Sequence, residues 1–427
     1  MILKILEGLA DEAAVVKTRV ENYMVRFAND EISVFKNWTV ENTNLYVAKG
    51  RRVASAGFTG RPALGEVERL VKSLESLPED PLYVALGGPA PVNYSEAVED
   101  FSKLPDLVKR AVEAAVGVER SAGVVAYAHV SVEYEDSVGR SGRYSVNRVY
   151  MAMRSFLGEF SATSAAAARR ISELKAEELG ARNAQLLSLS KGLPQIRIEP
   201  TRADLLLSPL VFGHLIGEAA AFWTSGAEVL AGSSRYSKED LGAAVASPVL
   251  TVVEKTADPA SYGFTPFDIE GVPARAVELY RGGVLTGLIH TRRTAKALGA
   301  EPTGHALFHW VRPHPGHIEI AGGDASDDLE DLFEELGSGF YIHNNWYTRY
   351  QNVKTGQFST VGRDLALQVK NGKPVAVVKF IRIADTLENV IKNIYALSNT
   401  ARQVYWWDMP APATAPYALV RNVGITT

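Results

Sequence analysis

Apolar and polar positions alternate along the first sixty residues with the two-residue period of a half-buried strand. Residues 16–28 (VKTRVENYMVRFA), 32–35 and 43–48 carry this pattern and 52–58 continue it, with turns expected at Asn29-Asp30 and Lys49-Gly50. The period then lengthens: Leu64, Val67, Leu70, Val71 and Leu74 fall at helical spacing within 64–77. Prolines 78 and 81 end that helix, and 82–86 reads as a short apolar strand. A second helix is expected over about 107–118, with Lys109, Arg110 and Glu113 toward water. Two long strands, 124–134 and 144–156, flank a polar turn at 135–142, and the alanine-rich stretch 164–187 predicts a third helix. The expected product is an antiparallel sheet with helices packed on one face.

Gly192-Leu193-Pro194 marks a joint, beyond which the pattern changes to short strands separated by Gly/Pro turns. Strands are expected at 195–199, 249–253, 274–280, 284–291, 317–320, 339–343, 365–370 and 374–383. Arg281-Gly282-Gly283 and Asn371-Gly372-Lys373 read as hairpin turns, the second because Asn-Gly suits a two-residue loop. Helices are few: 208–223, 327–337 behind Asp324 and Ser326 as caps, and 386–397 with Asp385 as N-cap. With 427 residues, more than one compact core is expected. The fold class is α+β, with an N-terminal domain over 1–192 and a β-rich C-terminal domain with a few helices over 193–427.

Composition narrows the chemistry. A net charge of −4 gives no general affinity for nucleic acid phosphate, and no DNA-reading motif is present. The absence of cysteine excludes disulfides, thiolate catalysis and cysteine metal ligands. No apolar run approaches the length of a membrane-crossing helix, and no basic start with a long apolar run opens the chain, so the expected location is the cytoplasm. Phosphate-loop, dinucleotide and serine-hydrolase motifs are missing.

The chemistry this chain does carry is expected on the central stretch 208–223, SPLVFGHLIGEAAAFW, taken as an amphipathic helix. His214 and Glu218 are four residues apart and share one face, the spacing two metal ligands would need. A zinc hydrolase requires a third ligand, an open position for water and a carboxylate base. His214 and Glu218 are therefore expected to pair with each other. A rearranged site would add His305, His309, His314 or His317, half of the eight histidines within thirteen positions, but their spacing fits no metal motif. Asp268 and Glu270 beside Gly271 suggest either a carboxylate pair or, preferred here, a turn-stabilising role. Trp346, Tyr347, Tyr350 and Arg349, with Tyr405, Trp406 and Trp407, suggest core or interface packing, or a wall for extended peptide.

Residues 264–271 (FTPFDIEG), 272–275 (VPAR), 279–299 (LYRGGVLTGLIHTRRTAKALG), Thr303-Gly304-His305 and 344–364 (NNWYTRYQNVKTGQFSTVGRD) resemble the TldD/PmbA family, also called modulator of DNA gyrase. The similarity runs from about residue 20 to the C terminus. It implies one of two kinds of subunit. TldD-type subunits bind a catalytic metal through a His-Glu-x-x-x-His helix and a later cysteine, and hydrolyse peptides. On this chain that motif falls on Gly213, His214 and Glu218, and the stretch 398–412 offers Trp406, Trp407 and Asp408 in place of the cysteine. The chain thus resembles the TldE (PmbA) type, which the resemblance implies is a non-catalytic partner of a heterodimeric metallopeptidase. No catalytic, cofactor or metal residue is expected in the chain itself, and zinc is expected in a TldD-type partner. Its alternatives are a metallopeptidase with a rearranged site or a peptide-binding homodimer.

Overall fold

The computed structural model describes residues 2–427. Nine helices among them are α1 (Ile2–Glu7), α2 (Leu64–Ser73), α3 (Leu104–Ala114), α4 (Ala176–Ser190), α5 (Pro209–Trp223), α6 (Gly226–Ala231), α7 (Arg292–Leu298), α8 (Leu329–Leu336) and α9 (Leu387–Lys392).

Six long strands come first: β1 (Glu12–Ala28), β2 (Glu31–Lys49), β3 (Arg52–Thr59), β4 (Arg120–Asp136), β5 (Ser141–Leu157) and β6 (Phe160–Ala168). They form one antiparallel sheet in the order β3-β2-β1-β4-β5-β6. The β1–β2 turn places Asn29 and Asp30 both at positive φ, which matches the right-handed twist of the flanking strands. One face of the sheet, with Val25, Tyr127, Val149 and Met151, buries against Leu107, Val108 and Ala111 of α3 and Leu179 of α4. The two helices approach so closely that a Cβ on Gly180 would lie 1.9 Å from the Ala111 carbonyl oxygen. On the other face, Val16, Val132, Tyr134 and Val146 pack on Phe264, Phe267 and Trp310 from the C-terminal half.

Shorter strands follow: β7 (Gln195–Ile196), β8 (Thr201–Leu207), β9 (Val252–Glu254), β10 (Val277–Arg281), β11 (Val284–Leu285) and β12 (Ile318–Ile320). Next come β13 (Gly339–Ile342), β14 (Asn345–Asn352), β15 (Gln357–Gly362), β16 (Ala366–Lys370), β17 (Lys373–Val378) and β18 (Arg382–Thr386). The last four are β19 (Ile394–Leu397), β20 (Arg402–Val404), β21 (Ala413–Ala415) and β22 (Ala418–Thr426). A ten-stranded sheet runs β14-β15-β18-β22-β8-β13-β16-β17-β7, with β19 beside β22. A six-stranded sheet of short strands runs β11-β10-β9-β12-β21-β20. The class is α+β: an N-terminal antiparallel sheet with helices, then β-rich sheets with few helices.

Between these last two sheets lies α5. Leu205, Leu207 and Ile342 of the larger sheet share one core with its Val211, Phe212, Leu215 and Ile216, as do Val252, Ile318 and Ala413 of the smaller. Thirteen of its fifteen residues are buried, so the helix is covered all round and is not amphipathic as expected. Pro209 occupies its first turn, and the Ser208 hydroxyl accepts from the Val211 N–H while donating to the His343 carbonyl. Ser208→Ala is therefore expected to cost about 1–2 kcal/mol, seen as a lowered melting temperature.

Several expected elements fall differently. Residues 164–187 are not one helix: β6 takes the alanines to 168, pairing Ala168 with Val149, and α4 starts at Ala176. Residues 32–35 and 43–48 are one strand, β2, and 82–86 form none. The stretch 374–383 divides between β17 and β18, and 284–291 is a strand only at Val284–Leu285. Helix α8 is capped by Asp328 instead of Asp324 or Ser326, and α9 by Thr386 instead of Asp385. Among the described residues no helix is long and apolar enough to cross a membrane.

Candidate functional site

His214 and Glu218 lie one turn apart on α5, and their side chains meet. His214 Nε2 is 3.3 Å from Glu218 Oε1, and the Asn345 amide donates to Nδ1 over 3.2 Å. With the Asn345 amide nitrogen as donor, Nδ1 accepts and Nε2 faces the carboxylate. The histidine is fully buried and Glu218 nearly so. Asn345 also donates to the Thr360 hydroxyl at 3.1 Å, which lies 2.9 Å from that of Thr348.

The neighbouring face of the helix, about 100° round, carries Gly213 and Gly217. A Cβ on Gly213 would stand 2.9 Å from Ala413 Cβ and 3.2 Å from Ala415 Cβ, and Gly217 faces Pro410 and Ala411. Residues 404–413, which overlap the stretch 398–412 where the resemblance places a cysteine, are therefore packed against α5 with alanine, proline and valine. Within it Trp406 is buried and Asp408 accepts from the Thr348 N–H at 3.2 Å.

A catalytic zinc takes three nitrogen, sulfur or carboxylate ligands and keeps one position open. The polar groups bonded to the imidazole or to its amide partner are Asn345 and the hydroxyls of Thr348 and Thr360, the Tyr350 hydroxyl lies within electrostatic reach of Glu218, and both ring nitrogens are engaged. Among the described residues no three His, Asp or Glu side chains gather to hold an ion. The donor set present does not match such a zinc site.

The loop histidines go elsewhere. His305 is bonded through Nδ1 to the Thr303 hydroxyl at 2.8 Å and through Nε2 to the buried Glu254 carboxylate. His317 Nε2 lies 2.9 Å from the Thr414 hydroxyl, His314 Nδ1 donates to the Pro315 carbonyl, and His309 is exposed. Burial holds His317 down at about 4. Asp268 stabilises the turn it begins: its Oδ1 accepts from the Glu270 and Val272 N–H groups, both at 3.0 Å, and its Oδ2 from the Ala306 N–H at 2.9 Å. Glu270 accepts from the Arg292 N–H at 2.8 Å, and burial, then the neighbouring Asp268, pushes its carboxyl well above the ordinary glutamate range.

The aromatics separate into two groups. Tyr347, at positive φ and half-exposed, meets Trp346, the guanidinium of Arg349 and the exposed Trp407. Tyr405 instead packs on Tyr150 and Tyr262, and Tyr350 on Phe222 and Phe358. Two central residues were not singled out by sequence. Glu254 follows the apolar run 249–253 as its first charged residue, a signal that could have marked it. Asp364, at φ 64° with a fully buried side chain, accepts from Ser161, Thr163 and Asn344 and pairs with Arg154, tying β5 and β6 to the stretch before β16. Nothing in its local sequence signals that role.

Fold and site define an α+β protein whose buried central helix carries one imidazole and one carboxylate bonded to each other. Residues 200–427 match the model described as the PmbA/TldA metallopeptidase C-terminal domain, just over half of the chain, and the chain belongs to the TldD/PmbA family. It is 28% identical over 239 residues to a metalloprotease of Methanothermobacter thermautotrophicus, covering 53% of this chain and 49% of that one. To the metalloprotease PmbA of Escherichia coli it is 27% identical over 219 residues, covering 48% and 43%. The chain thus spans about half the length of the curated relatives it matches. The fold matches TldE from Thermococcus kodakarensis with a TM-score of 0.80 at 19% identity, over 100% of this chain and 99% of that one.

Proposed function

We propose that this chain is the TldE-like, non-catalytic subunit of a TldD/TldE-type peptidase complex in the cytoplasm, built as two units over 1–192 and 193–427. A TldD-type partner would supply the zinc and the water-activating glutamate, while this chain closes the chamber around short or unfolded peptides. The observation that supports this most is the central helix: the places of the family's ligands hold Gly213, walled by Ala413 and Ala415, and a His214–Glu218 pair already bonded to each other. Enclosing the metal between subunits would restrict it to chains thin enough to enter.

The test is metal analysis and peptide hydrolysis of the purified chain, alone and mixed with a TldD-type subunit from the same source. Alone, it is expected to hold far less than one zinc per chain and to cleave nothing; together, the two form a stable complex that hydrolyses peptides. Stoichiometric zinc in the single chain, with activity abolished by His214→Ala, would instead make it a metallopeptidase with a rearranged site. A stable, inert homodimer that ignores such a partner would make it a peptide-binding protein.

A further inference from the structure

A cavity of about 810 Å³ opens between the N-terminal sheet and the smaller C-terminal sheet. Its walls are residues 163–168 of β6, the exposed-facing turns of α4, the first residues of α5 and the segment 400–404. That volume lies within the range of pockets that take small ligands. Two arginines stand in its lining, Arg182 from α4 and Arg402 from β20, with their guanidinium carbons 5.7 and 5.9 Å from the centre of the same Tyr417 ring.

Among the described residues neither guanidinium forms an ion pair. Arg182 donates to the neutral Gln185 amide at 3.0 Å, and Arg402 Nη1 is buried with no hydrogen-bond partner. Asp327, the carboxylate tied to the same segment, accepts from the Thr400 N–H at 2.9 Å and from its hydroxyl; burial raises its carboxyl, but the hydrogen bonds from Thr400 and Ser398 and the charge of Arg402 bring it below the usual range, without an ion pair to Arg402. The acidic residues in the lining, Glu173 and Glu178, are paired with Arg170 at 3.9 Å and Lys175 at 3.3 Å. The N-terminus of the fifteen-residue helix α5 adds partial charge of the same positive sign. The field reaches the wall residue His343, which burial and then the charge of Arg182 hold down at about 3, so that it stays neutral. A buried donor without an acceptor is costly, and two guanidiniums lining one cavity with no carboxylate at ion-pair distance suit the planar, two-oxygen geometry of a carboxylate. Among the described residues no strand pairs with the outer edge of β6, and where it lines the cavity Ala165 and Ala166 are half-buried.

We propose that this cavity captures the C-terminal carboxylate of an extended peptide between Arg182 and Arg402. The anion site stands on the geometry above; its assignment to peptide rests on the proposed role in a peptidase complex.

The test measures binding to the full chain, by titration calorimetry, of a pentapeptide with a free C terminus, the same peptide amidated, and succinate and inorganic phosphate. The free acid is expected to bind about tenfold or more tightly than the amide. Arg182→Gln and Arg402→Gln should each bring the free acid close to the amide without changing the amide's affinity. Arg182→Lys, which keeps the charge and loses the fork, should recover part of the difference. The ratio of acid to amide in the unmodified chain stands even if a variant folds poorly. Equal binding of acid and amide, or binding of neither, overturns the proposal. Succinate or phosphate binding as tightly as the peptide assigns the site to a free small anion and overturns the peptide terminus. Complex formation with a TldD-type subunit is scored on the same preparation: a lost acid preference with an intact complex removes the carboxylate site alone, whereas a failed complex removes the subunit role.

Discussion

Glu254→Ala is expected to lower folding stability by about 3–5 kcal/mol, seen as a fall in the denaturation midpoint at unchanged slope. Glu254 ends β9 and is fully buried. Its Oε1 accepts from the Gly316 and His317 N–H groups at 2.9 and 3.0 Å and from the Thr256 hydroxyl. Its Oε2 accepts from the Thr256 N–H at 3.0 Å and bonds His305. Alanine would leave all of these groups buried without an acceptor, in the loop that carries the family's Thr-Gly-His stretch. Burial by itself raises the pKa of this carboxyl, but the attraction of His305 and the hydrogen bonds from His305, Thr256 and His317 outweigh it and bring the value down to about 2. The ordinary value is 4.5. A folded pKa below the unfolded one means that the carboxylate stabilises the fold above the unfolded value and that this contribution is lost as pH falls through about 2. Acid titration of stability between those two values should therefore be steep in the parent and flatter in Glu254→Ala. Asp268 acts with the opposite sign and in another window: burial raises it from 3.8 to about 6 against its three N–H bonds, so its effect is to weaken the fold as pH rises across that range. An acid slope left unchanged by Glu254→Ala would mean that this carboxylate does not lock the loop.

The long N-terminal strands and the helices α2 and α3 were legible in the sequence because each has one dominant period and a clear stop. Asn29-Asp30 and Asn371-Gly372 were equally legible as turns, since both pairs sit at positive φ. Alanine misled. In 164–168 it looks like a helix former, yet small side chains let β6 lie close to α4 and the C-terminal half, and pairing with β5 decides its state. The middle of β2 escaped notice for the reverse reason. Residues 36–42 are mostly polar and exposed, so no alternation marks them, and pairing with β1 in continuous register makes them strand. The His214–Glu218 pair followed from a four-residue spacing. Its third member, Asn345, did not, because it arrives from another strand 131 residues away. The same limit hid Arg182 and Arg402, which only the meeting of α4 with β20 places on one ring.

Gly213→His, the change that returns the family's first histidine to its place, is expected to destabilise the fold by about 3 kcal/mol or more. Helix propensity works the other way, since replacing a mid-helix glycine gains up to about 1 kcal/mol, and the outcome depends on which is larger. The Cβ alone would stand 2.9 Å from Ala413 Cβ and 3.2 Å from Ala415 Cβ, with Val404 Cγ2 at 3.6 Å, and the imidazole must go beyond it. Ala413 and Ala415 belong to β21, which is paired with both β12 and β20, so the wall cannot retreat without moving the sheet. Gly213→Ala, which adds only the Cβ, should lose far less, because the propensity gain offsets much of the overlap. The triple variant Gly213→His, His214→Glu, Glu218→His should accordingly unfold before it binds zinc, measured as metal content of the folded fraction against its denaturation midpoint. A triple variant as stable as the parent and holding one zinc per chain would show that the metal site was lost through its ligands alone. Failure of both stability and binding would place the loss in the packing of residues 404–415 against α5, which keeps that helix at the centre of the fold while giving a ligand at position 213 no room.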